Sequence, residues 1–172
     1  MTDDPTAAAP AVGSGPGIIR TRPETAADEA FLFALFESVK GTEMAAMPIG
    51  GAMRQQLLSM QFRAMSTGYR SAFPAARFLI VLLNDAPIGR LIVNDDADCT
   101  RIVYIALLPE WRRHGLATAL MTAVLDEPRK HGRRCEATVT VDNFASMRLW
   151  ARLGFMERER SLTDVILEWL PR

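Results

Sequence analysis

The chain has 172 residues, 49% hydrophobic and 23% charged, with 20 Lys and Arg balanced by 20 Asp and Glu. That length suits one domain with a sizeable core, and a zero net charge gives no reason to expect nucleic acid or an anionic membrane as a partner. No long apolar run predicts a transmembrane span, and "MTDDPTAAAPAVGSGPG" lacks the basic start and apolar centre of a secretory signal, so a cytoplasmic protein is expected. Cys99 and Cys135 lack metal-ligand spacing and neither histidine has a metal partner nearby; two free thiols and no metal are expected.

In chain order, residues 1–17 are rich in Ala, Pro and Gly and predict a flexible tail, leaving 18–172 as a single domain. "IIRTR" (Ile18–Arg22) reads as a short strand. "PETAADEAFLFALFESVK" reads as a helix capped by Thr25 and ended by Lys40 and Gly41. "GTEMAAMPIGG" (Gly41–Gly51) reads as a loop. A second helix follows, "AMRQQLLSMQFRAMSTGYRSAF", with Met53, Leu57, Met60 and Ala64 at helical spacing and Pro74 as its stop. The period then changes. "RFLIVLLND" is a continuous apolar run, as in a strand buried on both faces, and "IGRLIVND" is its return strand. "RIVYIALL" is a further strand, followed by the helix "GLATALMTAVLDE", with Pro128 as an early end or kink. "RRCEATVTV" is a strand, "NFASMRLWARL" a helix, and "FMERERS" and "VILEWL" a closing pair of strands. The predicted order is β-α-α-β-β-β-α-β-α-β-β, an α/β fold with a mixed central sheet flanked by helices.

One stretch, "LPEWRRHGLATALM" (Leu108–Met121), breaks a general rule. The first turn of a helix favours carboxylates, because its free N–H groups and dipole are positive. Here Arg112, Arg113 and His114 add positive charge, and no Asp or Glu occurs between Trp111 and Leu125. Gly115 lets the backbone come close to a ligand, small Ala117 permits tight approach, and the first N–H groups of the helix point into the same space. Strand, Gly-containing turn and helix start together predict a phosphate site. The P-loop and the dinucleotide fingerprint are both absent.

What fits instead is Arg112-x-x-Gly115-x-Ala117 after the strand ending Ala106-Leu107-Leu108-Pro109-Glu110. This resembles the acetyl-coenzyme A signature, Gln/Arg-x-x-Gly-x-Gly/Ala, of the GNAT superfamily of N-acetyltransferases. "VDNFASMRLWARLGF" resembles the family's second landmark, an Asn followed by a helix ending in Leu-Gly-Phe. The match runs from about residue 18 to the C-terminus, with specific motifs only between Arg101 and Phe155. The resemblance implies a GNAT fold in which the strands "RIVYIALL" and "RRCEATVTV" splay apart. It implies that pantetheine pairs with backbone near Ala106 and Leu107. It places pyrophosphate on Arg113, His114, Gly115, Leu116, Ala117 and Thr118, with Arg112 beside it, and the pantetheine arm beside Asn143 and Ser146. The acceptor amine approaches over the first two helices. Acetyl-coenzyme A is then the co-substrate, and acetyl passes to a primary amine of a small molecule or peptide by direct attack, with no metal. A homodimer stays open.

Catalytic residues are harder to read. In the family a Glu or His on the cofactor strand often faces the acceptor; by alternation the positions here are Arg101 and Val103, which are not bases. Glu43 is a weak candidate base. Trp150 stands where the family usually has a Tyr whose hydroxyl protonates the departing thiolate, and an indole N–H donates a hydrogen bond but is not a usable acid. Proximity and backbone polarisation of the carbonyl remain as sources of rate. The alternative is a non-catalytic acyl-coenzyme A-binding sensor or interaction module, which Arg101, Val103 and Trp150 favour. The remaining features read as structural: Asn143 caps its helix, Gly154 ends it with Phe155 packing back, Met44, Met47, Met53, Met60 and Met65 pack rather than line a pocket, and Asp95, Asp96 and Asp98 form a solvated hairpin tip.

Overall fold

The computed structural model describes residues 12–13 and 17–171. Its strands are β1 (Val12–Gly13), β2 (Ile18–Pro23), β3 (Arg77–Leu83), β4 (Ala86–Asp95), β5 (Cys99–Leu107), β6 (Arg134–Thr140), β7 (Met156–Arg160) and β8 (Asp164–Trp169). Its helices are α1 (Glu29–Ala45), α2 (Gly51–Ala72), α3 (Leu116–Lys130) and α4 (Phe144–Arg152). The strands form one sheet in the order β1-β2-β3-β4-β5-β6-β8-β7. Every pairing is antiparallel except β5 with β6. From β2 onward the order is the one the sequence predicts.

The apolar run of β3 shows why both faces of the sheet are covered. Leu79, Val81 and Leu83 enter one core with residues of α3 and α4, while Ile80 and Leu82 enter a second core with Leu32, Phe36, Leu58 and Phe62 of α1 and α2. Alternate side chains of one strand serve opposite layers, so an uninterrupted apolar sequence is what the position requires.

Several local expectations change. Val12 and Gly13 pair with Ile19 and Ile18, so this part of the expected flexible tail is tied to the sheet edge; the rest of that expectation lies outside the described residues. The first helix begins later than its sequence suggests, after a turn at Ala26–Asp28 in which the Asp28 carboxylate accepts from the Thr25 N–H at 2.8 Å and the Thr25 hydroxyl at 2.9 Å. It also runs through Gly41 to Ala45, because Met44 is buried in the α1–α2 core and rewards the added turn. In α2 the buried stripe is Leu58 and Phe62, continued by half-buried Met65 and Tyr69; of the expected Met53–Leu57–Met60–Ala64 stripe only Leu57 packs against that core, and Met53 and Met60 are 58% and 59% exposed. Two apolar stripes compete on this helix, and packing against Phe33, Phe36 and Leu32 selects the aromatic one. Pro128 does not end α3. It sits buried in the last turn, where its missing N–H costs one hydrogen bond and the helix continues to Lys130.

Candidate functional site

The parallel pair β5–β6 is registered only from Cys99↔Arg134 to Ile102↔Ala137. Beyond that point β5 stays paired to β4 and β6 to β8, so residues 103–107 and 138–140 diverge with their facing backbone edges unpaired among the described strands. The cause is local. On β4, Ile92 faces Tyr104 and Val93 faces Ile102, which leaves Val103 as an extra residue, a β-bulge that bends β5 at the place where it leaves β6. Just below the split, Arg101 and Glu136 are register partners and also an ion pair at 3.1 Å; Arg134 and Arg158 hold the same carboxylate. Burial works against the charge of Glu136, but the three guanidiniums prevail and hold its carboxyl below the usual range.

Both helices that follow the split strands start at its mouth. β5 leads through a turn into α3, and β6 leads through Val141 and Asp142 into α4. This is the crevice at the carboxyl ends of parallel strands where open α/β sheets bind ligands. The α3 turn has left-handed backbone at Arg113 (φ 63°) and Gly115 (φ 77°), which flank His114. Among the described residues, the N–H groups from Arg113 to Thr118 have no acceptor; the first N–H of α3 to find one is Ala119, bonded to the Gly115 carbonyl at 3.0 Å. A Cβ on Gly115 would meet nothing within 4 Å, so the turn opens onto free space. A series of free donors at a helix start, with no Asp or Glu in the sequence between Trp111 and Leu125, has the chemistry to hold an anion. Arg112 takes a different part from that expected of a simple phosphate ligand. Its Nε donates to the Leu107 carbonyl at 2.8 Å and ties the end of β5 to the turn.

At the second helix start, the Asn143 side-chain oxygen accepts from the Ser146 N–H at 3.1 Å, which leaves the amide group of Asn143 facing outward from the cap. Ser146 Oγ accepts the indole N–H of Trp150 at 3.1 Å. Trp150 is 2% exposed and packs on Phe155 with ring centroids 4.8 Å apart, so it belongs to the core and its single polar group is already committed. Gly154 ends α4 with φ 87°, and the Phe155 N–H bonds back to the Trp150 carbonyl at 3.0 Å. Glu43 is not a loop residue. It lies on α1, exposed, and pairs with Lys40 at 3.0 Å.

The bulge at Val103 breaks the alternation: Tyr104, which alternation from Arg101 assigns to the face opposite α2, lies on the face toward α2. Tyr104 lies 5.8 Å from Tyr69 of α2 between ring centroids, whereas Ile102 and Ile105 pack toward α3. Burial pushes the Tyr104 phenol up to about 12, reinforced by Tyr69 and opposed by Arg90 and Arg112; burial also raises Tyr69. Sequence reasoning also missed Arg90, buried on β4 and bonded to the buried Glu24 carboxylate at 2.9 Å. The signal was a lone charge inside "IGRLIVND", a run otherwise apolar enough for a strand buried on both faces.

Comparison with known proteins agrees with this geometry. The acetyltransferase (GNAT) family pattern matches residues 53–155. An uncharacterized N-acetyltransferase of Methanocaldococcus jannaschii is 29% identical over 101 residues, covering 54% of this chain and 42% of the relative; the chain thus aligns with about two fifths of that protein's length. The fold resembles that of PaiA N-acetyltransferase of Thermoplasma acidophilum in complex with coenzyme A, with TM-score 0.66 and 18% identity over 88% of this chain and 98% of that one. It also resembles RimJ of Mycobacterium smegmatis in complex with CoA-disulfide, with TM-score 0.71 and 18% identity over 96% and 88%. The split between β5 and β6, the free N–H groups of the α3 turn and the family match over 53–155 lead to one conclusion: this chain belongs to the acetyltransferase (GNAT) family.

Proposed function

We propose that this chain is an acetyl-coenzyme A-dependent N-acetyltransferase that acetylates a primary amine by direct attack, with residues 18–172 as the catalytic domain. The observation that carries the reading is the run of free N–H groups from Arg113 to Thr118, left without acceptors at the mouth of two diverging strands. Acetyl-coenzyme A supplies the thioester. The chain supplies the phosphate cradle from Arg113 to Thr118 and an unpaired β5 edge, including Ala106 and Leu107, for the pantetheine amides. Asn143 and Ser146 border that arm.

Glu43, paired with Lys40 on an exposed helix, is a poor base, and the indole N–H of Trp150 is engaged by Ser146. Rate then rests on orientation and on backbone donors directed at the acetyl carbonyl. The same two observations favour the second reading, a coenzyme A-binding module without transferase activity. Calorimetry with acetyl-coenzyme A, followed by thiol release over a panel of amines, tests both. Binding with release supports the enzyme, binding without release supports the module, and absence of binding refutes both.

A further inference from the structure

The face of the sheet turned toward α2 carries a polar cluster that cofactor binding does not use. Tyr69 and Tyr104 stack across the gap between α2 and β5, 5.8 Å apart and tilted by 48°. Arg90 is the β4 register partner of Ala106, two residues beyond Tyr104 and past the split. Its Nε and Nη2 donate to Glu24 at 3.0 and 3.1 Å, while its Nη1 is buried with no partner among the described residues. Arg70, next to Tyr69 in the chain, donates to the same carboxylate at 2.6 Å. It lies over the Phe78 ring at 4.3 Å and stays 54% exposed.

The chemistry of this cluster is one-sided. Two guanidiniums share one carboxylate, so a positive charge is left over beside the stretch of β5, near Ala106, expected to pair with pantetheine. Neither phenol has a hydrogen-bond partner among the described residues, and both are protonated at neutral pH, as any phenol is, with burial raising them further. The free groups are therefore donors: two O–H groups and the N–H groups of Arg70 and Arg90 that Glu24 leaves over. The one carboxylate in the cluster is consumed by its arginines. Arg90 Nη1 is a buried donor without an acceptor among the described residues, an unfavourable state that an incoming oxygen relieves. A polycationic amine meets the uncompensated guanidinium charge here and finds only neutral phenol oxygens as acceptors. A ligand carboxylate meets charge and donors together, as in charge-assisted recognition by arginine.

We propose that Tyr69, Arg70, Arg90 and Tyr104 recognise the acceptor, and that the acceptor carries a free carboxylate beside its reactive amine, as an amino acid does. This rests on the transferase reading given above and narrows its substrate class.

The test pairs free amino acids with the matching amino-acid amides, and adds a linear diamine, in a thiol-release assay with acetyl-coenzyme A. The acids are expected to exceed the amides by about tenfold or more in kcat/KM. Arg70→Gln and Tyr104→Phe are expected to bring that ratio towards one without changing the KM for acetyl-coenzyme A. Damage to the fold alone lowers acids and amides alike and leaves the ratio in place. Amides or diamine turned over as well as the acids would overturn the inference and leave the transferase reading standing.

A second readout does not depend on turnover. Tyr69 and Tyr104 are the only tyrosines in the chain, so tyrosine labelled at the ring ζ carbon alone gives two NMR resonances, both from this cluster. Free amino acids are expected to shift both resonances, and the amides to shift them less. If amino acids shift neither, the inference fails whatever the enzyme assay gives. If calorimetry shows no acetyl-coenzyme A binding, the transferase reading fails on its own, and the tyrosine titration still decides whether the carboxylate site exists.

Discussion

Gly89 is the residue through which the split between β5 and β6 is most directly tested. It is the register partner of Leu107, at the end of β5 that the phosphate turn follows. A Cβ built there would stand 2.3 Å from the Ala106 carbonyl oxygen and 2.5 Å from Leu107 Cδ2. The first contact is about 1 Å short of ordinary van der Waals distance, and it is with backbone, which has no rotamer to change. In Gly89→Ala, β5 must move by that amount at Ala106, or β4 must. Overpacking of this kind costs about 1–3 kcal/mol. A displacement of about 1 Å in a positioning element also costs up to about 10²-fold in rate. Gly68→Ala is the control: it sits in α2 with nothing within 4 Å of its built Cβ, and replacing a helical Gly by Ala stabilises by about 0.8–1 kcal/mol. Urea unfolding and calorimetry with acetyl-coenzyme A are run on both variants. Gly89→Ala should lose stability and affinity together while Gly68→Ala loses neither. Wild-type stability and affinity in Gly89→Ala would show that the Gly89–Ala106 approach does not position the cofactor strand, and would refute the reasoning.

Other outcomes follow from the same geometry. Gly115→Glu, which puts bulk and negative charge on the free N–H groups of the α3 turn, should abolish acetyl-coenzyme A binding in calorimetry with the far-UV spectrum unchanged. Trp150→Phe removes the bond to Ser146 and should cost about 1–2 kcal/mol in denaturant unfolding but little in kcat; a hundredfold fall in kcat at unchanged affinity would assign the indole a direct role. Asp28→Asn should lower stability at pH 7 by about 1–3 kcal/mol, because the carboxylate takes two bonds from Arg22 and two from Thr25. The Arg22 guanidinium holds the Asp28 carboxyl well below the usual carboxylate range. Its contribution is therefore complete above the unfolded value near about pH 4 and declines as pH falls further, so the variant and wild type should converge in strong acid. Alkaline titration of tyrosine absorbance should show Tyr104 ionising only near pH 12, and a normal transition near about pH 10 for both tyrosines would contradict their burial.

The parts of the fold that were legible in the sequence are those set by period and by local chemistry. The apolar run of β3, the hairpin to β4 and the α3 turn each carry their signal within a few neighbouring residues. The Asn143 cap and the Gly154 stop are of the same kind. What was not legible depends on two segments meeting. The outer methionine stripe of α2 reads as well as the inner Leu58–Phe62 stripe until Phe33 and Phe36 of α1 choose between them. Met44 extends α1 past Gly41 only because a core waits for it. The place of Tyr104 on the face toward α2 was not legible because a bulge is a property of a strand pair. Nothing in "RIVYIALL" says that Val103 has no partner on β4, yet that one residue turns Tyr104 to the face toward α2.

That bulge also explains how the surroundings of one strand change along its length. Below Val103, β5 is an ordinary interior strand, paired on both sides and closed by the Arg101–Glu136 ion pair. Above it, the strand keeps β4 and releases β6, which frees one backbone edge while its two faces remain covered. Ile105 then points into the α3–α4 core and holds the strand, and Tyr104 points to α2 and the arginines. The turn that follows begins from a strand end fixed twice over, by the Leu108 N–H on the Ile88 carbonyl at 2.9 Å and by Arg112 on Leu107 at 2.8 Å. The free N–H groups of α3 are thus presented by a rigid support, which removes the ordering cost that a flexible loop would pay on binding. A single inserted residue bends β5 where it leaves β6, turns Tyr104 toward α2, and leaves the turn of free N–H groups anchored at the mouth of the split.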